Sequence, residues 1–237
     1  MKFGVVIFPG SNCDFDAYRA IKDLNIGDVE YLWHGESSLN GCDVVILPGG
    51  FSYGDYLRSG AIARFSPIMK SVAEFAKNGG LLFGICNGFQ VLLESGLLPG
   101  ALIRNRDLRF RGRDVYIRVE RNDTPFTNGY KVGDVLKIPI AHKDGNYYNF
   151  SGDVELLKKK NQVVFRYCSR EGEITDQSNP NGSADNIAGI ISNAGNVLGM
   201  MPHPERAMEK ILGSDDGYKM FESVRDFINR RVPCEKA

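Results

Sequence analysis

"GLLFGICNGFQVLLE", residues 80–94, decides how this chain is read. The apolar run from Leu81 to Ile85 reads as a strand buried on both faces, and the mixed segment after Cys86 reads as a helix. Gly84 and Gly88 stand two positions either side of Cys86, the spacing of a nucleophile elbow, with cysteine where many hydrolases carry serine. Glycine relieves the crowding of a sharp strand-to-helix turn, and the strained turn lifts the side chain between the glycines off the sheet. The helix places Cys86 near its N-terminus, where the macrodipole and free amides favour thiolate over thiol. Asn87, next in the chain, would offer its backbone N–H to a developing oxyanion, and Gln90, four residues after Cys86, shares its helix face. The alternative is a small buried core residue, since free cysteine is among the most buried types.

Outward from this turn, short β-rich runs alternate with longer amphipathic ones. "FGVVIF" from Phe3, "DVEYLW" from Asp28 and "DVVILPGG" from Asp43 precede it, and residues 61–76 repeat Ile62, Phe65, Met69, Val72 and Phe75 at helical spacing. Strands joined by helices predict an α/β fold with a mostly parallel central sheet flanked by helices, in which sites form beyond the carboxyl ends of strands. Both "LPGG" and "GICNG" fall at such ends. After Arg113 the texture changes to "DVYIRVE", "DVLKIPIAH", "VVFRYC", "IAGIIS" and "VLGMMPH", which predict additional strands of the same sheet in the C-terminal half. A last helix over 217–231 carries Met220, Phe221, Val224, Phe227 and Ile228 on one face, and residues 171–186 read as a surface loop. With no internal repeat and no linker, residues 1–237 are taken as a single domain.

Composition narrows the function classes. Hydrophobic residues at 43%, charged residues at 24% and a formal net charge of zero describe a soluble globular protein and argue against nucleic acid as a partner. The first apolar stretch is too short for a signal peptide, and no run approaches the roughly 20 residues of a membrane span, so the expectation is a cytoplasmic protein. Cys13, Cys42, Cys86, Cys168 and Cys234 are odd in number and scattered, which fits reduced thiols rather than disulfides or a metal site.

A thiol nucleophile at neutral pH needs a histidine, and there are three: His34, His142 and His203. "VLGMMPHPERA" reads as a buried strand ending at His203-Pro204-Glu205. Side chains two apart in extended backbone project to the same side, so Glu205 would lie beside His203, hold its tautomer and stabilise its imidazolium. The alternative is a solvated Pro-rich turn. His34 reads as a loop or strand-end residue, and His142 as lining either a pocket or a partner surface. In "LPGGFSYGDYLRSG", Gly49 and Gly50 permit close backbone approach to a ligand, and Gly50 or Phe51 would supply a second oxyanion donor; the alternative is a tight turn.

These motifs together resemble the class I, triad-type glutamine amidotransferases. "FPGSNCD", "PGGFSYGDYLRSGAIA", "GICNGFQ", "NPNGS" followed by "IAGI", and "GMMPHPERA" are similar, more narrowly, to the glutaminase subunits of phosphoribosylformylglycinamidine synthase. The resemblance implies Cys86 as nucleophile, His203 as base, Glu205 as its orienter, Gly50 and Asn87 as oxyanion hole and Gln90 as a glutamine-binding residue, with no metal and no cofactor on this chain. It also implies two partners, a large synthetase subunit that uses ATP and Mg to activate formylglycinamide ribonucleotide and a small bridging subunit. This chain departs from the pattern at Lys143-Asp144, where a small residue followed by Glu is expected, and "SREGEITDQS" is longer than usual. The absence of a phosphate-loop or dinucleotide motif agrees with ATP chemistry elsewhere. A freestanding cysteine hydrolase, a redox-sensing module and a glutaminase feeding another synthetase are the alternatives.

Overall fold

A computed structural model describes residues 1–149 and 154–231, so Cys234 lies outside it. In chain order the elements are β1 Lys2–Ile7, α1 Asp14–Lys22, β2 Asp28–Trp33, β3 Val44–Leu47, α2 Ile68–Lys77, β4 Leu81–Ile85, α3 Asn87–Glu94 and β5 Ala101–Ile103. β6 Arg111–Val119, β7 Val135–His142, β8 Asn146–Tyr148, α4 Val154–Lys159, β9 Val163–Cys168, β10 Ile187–Ile191, β11 Val197–Met200 and α5 Tyr218–Arg231 follow. Nine strands form one sheet in the order β2-β1-β3-β4-β11-β10-β9-β6-β7. The first five in that order run parallel, and the other four continue the sheet antiparallel. This is the α/β architecture that the alternating runs predict, with the added strands where the texture changes. No helix of the described residues is long and apolar enough to cross a membrane.

Every residue of β3 and β4 is buried, as parallel strands covered on both faces require. Alternation along β4 sends Phe83 to one side, against Phe126 and Phe221 of α5, with ring centroids 5.6 and 6.0 Å away. On the other side α3 lies unusually close to the sheet, because glycine removes the side chains that would hold it off. A Cβ on Gly88 would stand 1.9 Å from the Leu47 carbonyl oxygen, and one on Gly199 would stand 2.1 Å from the Phe89 ring.

Two local readings are corrected. The helical spacing over 61–76 does not yield one helix: residues 63–65 form a short 3-10 turn, Phe65 is exposed, and α2 starts at Ile68. Pro67 is the cause, since it holds Ser66 extended at φ −59°, ψ 141°. Residues 171–186 are not merely a surface loop, because Asn179, Asn181 and Ser183 are buried. Their side chains satisfy backbone groups of a neighbouring turn: Asn181 Nδ2 donates to the Gly145 carbonyl at 2.7 Å, and Ser183 Oγ accepts from the Tyr147 N–H at 3.0 Å. The small antiparallel pair β5–β8 and the helix α4 carry too few residues for a periodicity to announce them.

Candidate active site

The parallel pairing of β4 with β11 aligns Ile85 with Met200, so Cys86 and His203 emerge from the same end of adjacent strands. The Cys86 N–H donates to the Met200 carbonyl at 2.8 Å and locks the turn to that neighbour. Cys86 itself has φ +50° and ψ −103°, a conformation that side-chain-bearing residues rarely adopt and that persists only where surrounding structure imposes it. The strained strand-to-helix elbow expected from the glycine spacing is therefore present. The thiol is buried, and its Sγ lies 3.7 Å from the Ala141 carbonyl at the end of β7.

His203 is buried and is anchored through its N–H to the Pro139 carbonyl at 2.8 Å. Its Nδ1 meets Glu205 Oε1 at 2.6 Å, both side chains being almost fully enclosed. The pairing is the one expected, but Pro204–Arg206 is a 3-10 turn rather than extended strand, and the turn brings the two side chains together. An ionised Glu205 only accepts, so Nδ1 carries the proton and faces Glu205, while Nε2 has no hydrogen-bond partner among the described residues. Burial works against the imidazolium, yet the Glu205 carboxylate, followed by Cys86, outweighs it and holds the His203 pKa well above the ordinary value. Cys86 and His203 are thus electrostatically coupled without a formed hydrogen bond, a looseness common before substrate arrives.

The glycine loop closes the site. A Cβ on Gly49 would stand 2.7 Å from His203 Cε1, and Gly50, at φ +137°, packs against the backbone of Ser11 and Asn12. Asn87 faces this loop: its Oδ1 accepts the Ser52 N–H at 3.1 Å, and its Nδ2 donates to Gln90 Oε1 at 2.8 Å. Gln90 Nε2 in turn donates to the Asp144 carbonyl at 2.7 Å. The two side chains brace the elbow between the 50–55 loop and the 141–145 segment, while the Asn87 backbone N–H belongs to the first turn of α3, whose donors lack intrahelical partners.

Cys86, Gly50 and Gln90 line a cavity of about 340 Å³, completed by Asp55, Ser59, Arg104, Phe110 and residues 141–144. Burial, reinforced by the Asp144 charge, pushes the Asp55 carboxyl up to about 6. Asp144 Oδ2 accepts from Ser59 Oγ at 2.8 Å, while its Oδ1 is buried without a partner. His142 lines the same cavity. Asn105 Nδ2 donates to the Arg109 and His142 carbonyls at 2.8 and 3.0 Å, so Asn105 Oδ1 is the acceptor for His142 Nδ1–H at 3.1 Å. His142 Nε2 is then a bare acceptor with no partner, and burial pushes the imidazole pKa down to about 3, so it stays neutral. His34 instead anchors the glycine loop, its Nδ1 lying 2.8 Å from the Tyr53 hydroxyl.

The sequence reading passed over Cys13, which follows β1. It is buried near His203 and accepts from Arg206 Nη2 at 3.0 Å; burial raises its pKa. Cys13, His203 and Glu205 place donor atoms within 4.8 Å of one another. Asp55 and Arg104 were also passed over, since neither sits in a motif and only the fold brings them to the cavity.

A family model described as the CobB/CobQ-like glutamine amidotransferase domain matches residues 1–228. The chain is 57% identical over 230 residues to phosphoribosylformylglycinamidine synthase subunit PurQ of Moorella thermoacetica, covering 97% of this chain and 98% of that protein. It is 55% identical over 228 residues to the protein of the same name from Salinibacter ruber, covering 96% and 97%. Among solved structures it is similar to a chain of PurLQS from Thermotoga maritima, with a TM-score of 0.85 and 44% identity over 96% of this chain and 98% of that one.

Proposed function

This chain belongs to the CobB/CobQ-like glutamine amidotransferase family, and from that membership we propose that it is the glutaminase subunit of a phosphoribosylformylglycinamidine synthase, acting in de novo purine synthesis. The observation that carries the chemistry is the strained Cys86 elbow facing the buried His203–Glu205 pair.

Cys86 sulfur attacks the side-chain amide carbon of glutamine, and the developing oxyanion is met by the backbone N–H groups of Gly50 and Asn87. The carbon–nitrogen bond breaks as imidazolium His203 gives its proton to the leaving nitrogen, which departs as ammonia. A γ-glutamyl thioester remains on Cys86. Water, deprotonated by His203 Nε2, attacks that thioester, the carbon–sulfur bond breaks, and glutamate leaves. Glu205 keeps Nε2 available for both transfers and offsets the imidazolium charge. Gln90 shapes the glutamine site by holding the 144 backbone.

Ammonia passes to a large synthetase subunit, where ATP and Mg activate the formyl amide of formylglycinamide ribonucleotide and the product is the amidine; a small subunit bridges the two. Support for this assembly is the likeness to a chain of PurLQS. The chain works in the cytoplasm as a single domain and carries no cofactor of its own.

The test is glutamate release from glutamine by the chain and its Cys86→Ala variant, each with and without the cognate synthetase components, ATP and formylglycinamide ribonucleotide. The expected result is a wild type switched on by the complex and a variant dead with glutamine that still supports synthesis from added ammonia. Equal behaviour of the two proteins would return Cys86 to the status of a core residue.

A further inference from the structure

Cys13 is a second buried thiol beside His203, and thioester chemistry at Cys86 leaves it unused. It stands immediately ahead of α1, and its N–H donates to the Gly49 carbonyl at 3.3 Å. Its neighbour Asn12 packs against Gly50, where a Cβ would stand 2.7 Å from the Asn12 nitrogen. A Cβ on Gly49 would meet both the Cys13 sulfur, at 3.1 Å, and His203 Cε1, at 2.7 Å, so sulfur and imidazole share the space that this glycine leaves. The sulfur, a ring nitrogen of His203 and a carboxylate oxygen of Glu205 lie within 4.8 Å of one another. The S–H donates to Asn12 Oδ1 at 3.1 Å. Arg206 Nη2 donates to the sulfur at 3.0 Å, and Arg206 Nε donates to Asp16 Oδ2 at 2.8 Å. One thiol thus joins the glycine loop, α1 and the turn that carries His203 and Glu205.

We propose that Cys13 is a positioning residue of the glutaminase reaction, its sulfur wedging the His203 imidazole against Glu205 and tying that pair, through Arg206, to Asp16 of α1. The inference rests on the glutaminase reading and adds a residue to it. Cys13 does not line the cavity beside Cys86, so it acts through His203 rather than on the substrate. Burial, ahead of the opposing pull of His203, raises its pKa, so it stays a neutral thiol and does not compete with Cys86 for electrophiles. A large, polarisable sulfur fills the space beside Gly49 and accepts from Arg206 at the same time, which alanine cannot do. Its hold on Arg206 has a further effect. The guanidinium is close enough for the Glu205 charge to act on it, and Glu205 Oε2 is buried without a partner, so a released Arg206 would compete with His203 for that carboxylate. The charged and titratable groups facing His203 are Glu205 from its own turn, Cys86 from the elbow, Cys13 from ahead of α1 and neutral His142 from the end of β7. Burial disfavours the imidazolium, and Glu205, Cys86 and Cys13 favour it. Loss of Cys13 therefore removes part of what keeps the imidazolium charged.

The experiment follows glutamate release against pH in the assembled complex for the wild type, Cys13→Ala and Cys13→Ser. Rates are expressed per Cys86 titrated by a glutamine-like electrophile, so that misfolded protein is not counted. Cys13→Ala should lower kcat by roughly tenfold with KM for glutamine little changed, the scale of one hydrogen bond to a charged group. The alkaline limb of its kcat/KM profile should move to lower pH. Cys13→Ser, whose hydroxyl also accepts from Arg206, should recover most of both. Cys42→Ala, which removes a buried thiol ahead of β3, should move neither. An alkaline limb that stays in place in Cys13→Ala, whatever its kcat, would show that the thiol only fills the core; a shift of the same size in Cys42→Ala would count equally against the role. Either result overturns the positioning role and leaves the glutaminase reading intact. A wild type that releases no glutamate removes both.

Discussion

Replacing Gly88 by alanine tests whether the close seat of α3 is what aims the nucleophile. The added Cβ would stand 1.9 Å from the Leu47 carbonyl oxygen and 2.5 Å from its carbonyl carbon, both backbone atoms of a buried strand that cannot swing aside. Relieving a contact that short requires α3 to retreat from β3 by about 1 Å, and overpacking of this kind costs about 1–3 kcal/mol. With backbone on the receiving side, the upper end of that range is expected. Cys86 is the residue on which the strained turn pivots, and Asn87 begins the helix, so both move with it. A misplacement of about 1 Å near the reacting atoms can lower the rate by roughly a hundredfold. Gly79→Ala is the companion, because no atom lies within 4 Å of its Cβ position and only its φ of +86° is unfavourable. It should cost about 1–2 kcal/mol with activity retained. The assays are urea unfolding and glutamate release in the assembled complex. A Gly88→Ala protein with wild-type turnover would sink the claim that α3 must touch the sheet for the elbow to work.

Two further outcomes follow from the buried imidazoles. Glu205→Gln removes the charge that holds His203 protonated, so kcat/KM should fall by roughly tenfold to hundredfold. The alkaline limb of the pH–rate profile should also move to lower pH, since the imidazolium that protonates the leaving nitrogen is lost sooner; a profile unchanged in shape and position counts against Glu205 as orienter. For stability, His142 titrates at about 3 in the fold against about 6.5 in an unfolded chain, so below pH 6.5 the unfolded state binds a proton that the folded state refuses. Its contribution should weaken folding by about 2 kcal/mol between pH 6.5 and 5, and His142→Gln should flatten that part of the acid limb; urea midpoints at both pH values decide it. His203 has the opposite sign, its stabilisation being present below pH 6.5 and lost as pH rises through its raised folded value.

How much of this was legible in the sequence depends on the range over which each feature is specified. The elbow is local: two glycines, one cysteine and an apolar run fix strand, turn and helix within 15 residues, and the structure shows that turn with Cys86 at positive φ. His203 and Glu205 were legible as a pair because only two positions separate them, although the backbone between them turns where an extended run was expected. The helix over 61–76 misled because hydrophobic spacing says nothing of a missing N–H, and Pro67 restricts the residue before it whatever the periodicity. The 171–186 segment misled for a related reason. Asn and Ser read as solvated by composition, yet here their amides and hydroxyl serve as internal partners for the backbone at 145–147.

The cavity wall was the least legible part, and its origin explains the shape of the fold. The parallel half of the sheet supplies Cys86, His203 and the glycine loop, all at the carboxyl ends of strands. It leaves the space beside Cys86 open. The antiparallel strand β7 fills it, delivering the Ala141 carbonyl to within 3.7 Å of the Cys86 sulfur and then His142, Lys143 and Asp144 along the cavity. That segment is held by Asn105 through the His142 carbonyl and the Gly145 N–H, by Asn181 through the Gly145 carbonyl, and by Gln90 through the Asp144 carbonyl. Three amide side chains from three distant stretches thus hold three of the four residues 142–145, and such multiple anchoring keeps the cavity wall rigid. Lys143 and Asp144 lie within that braced stretch, and both line the cavity beside Cys86.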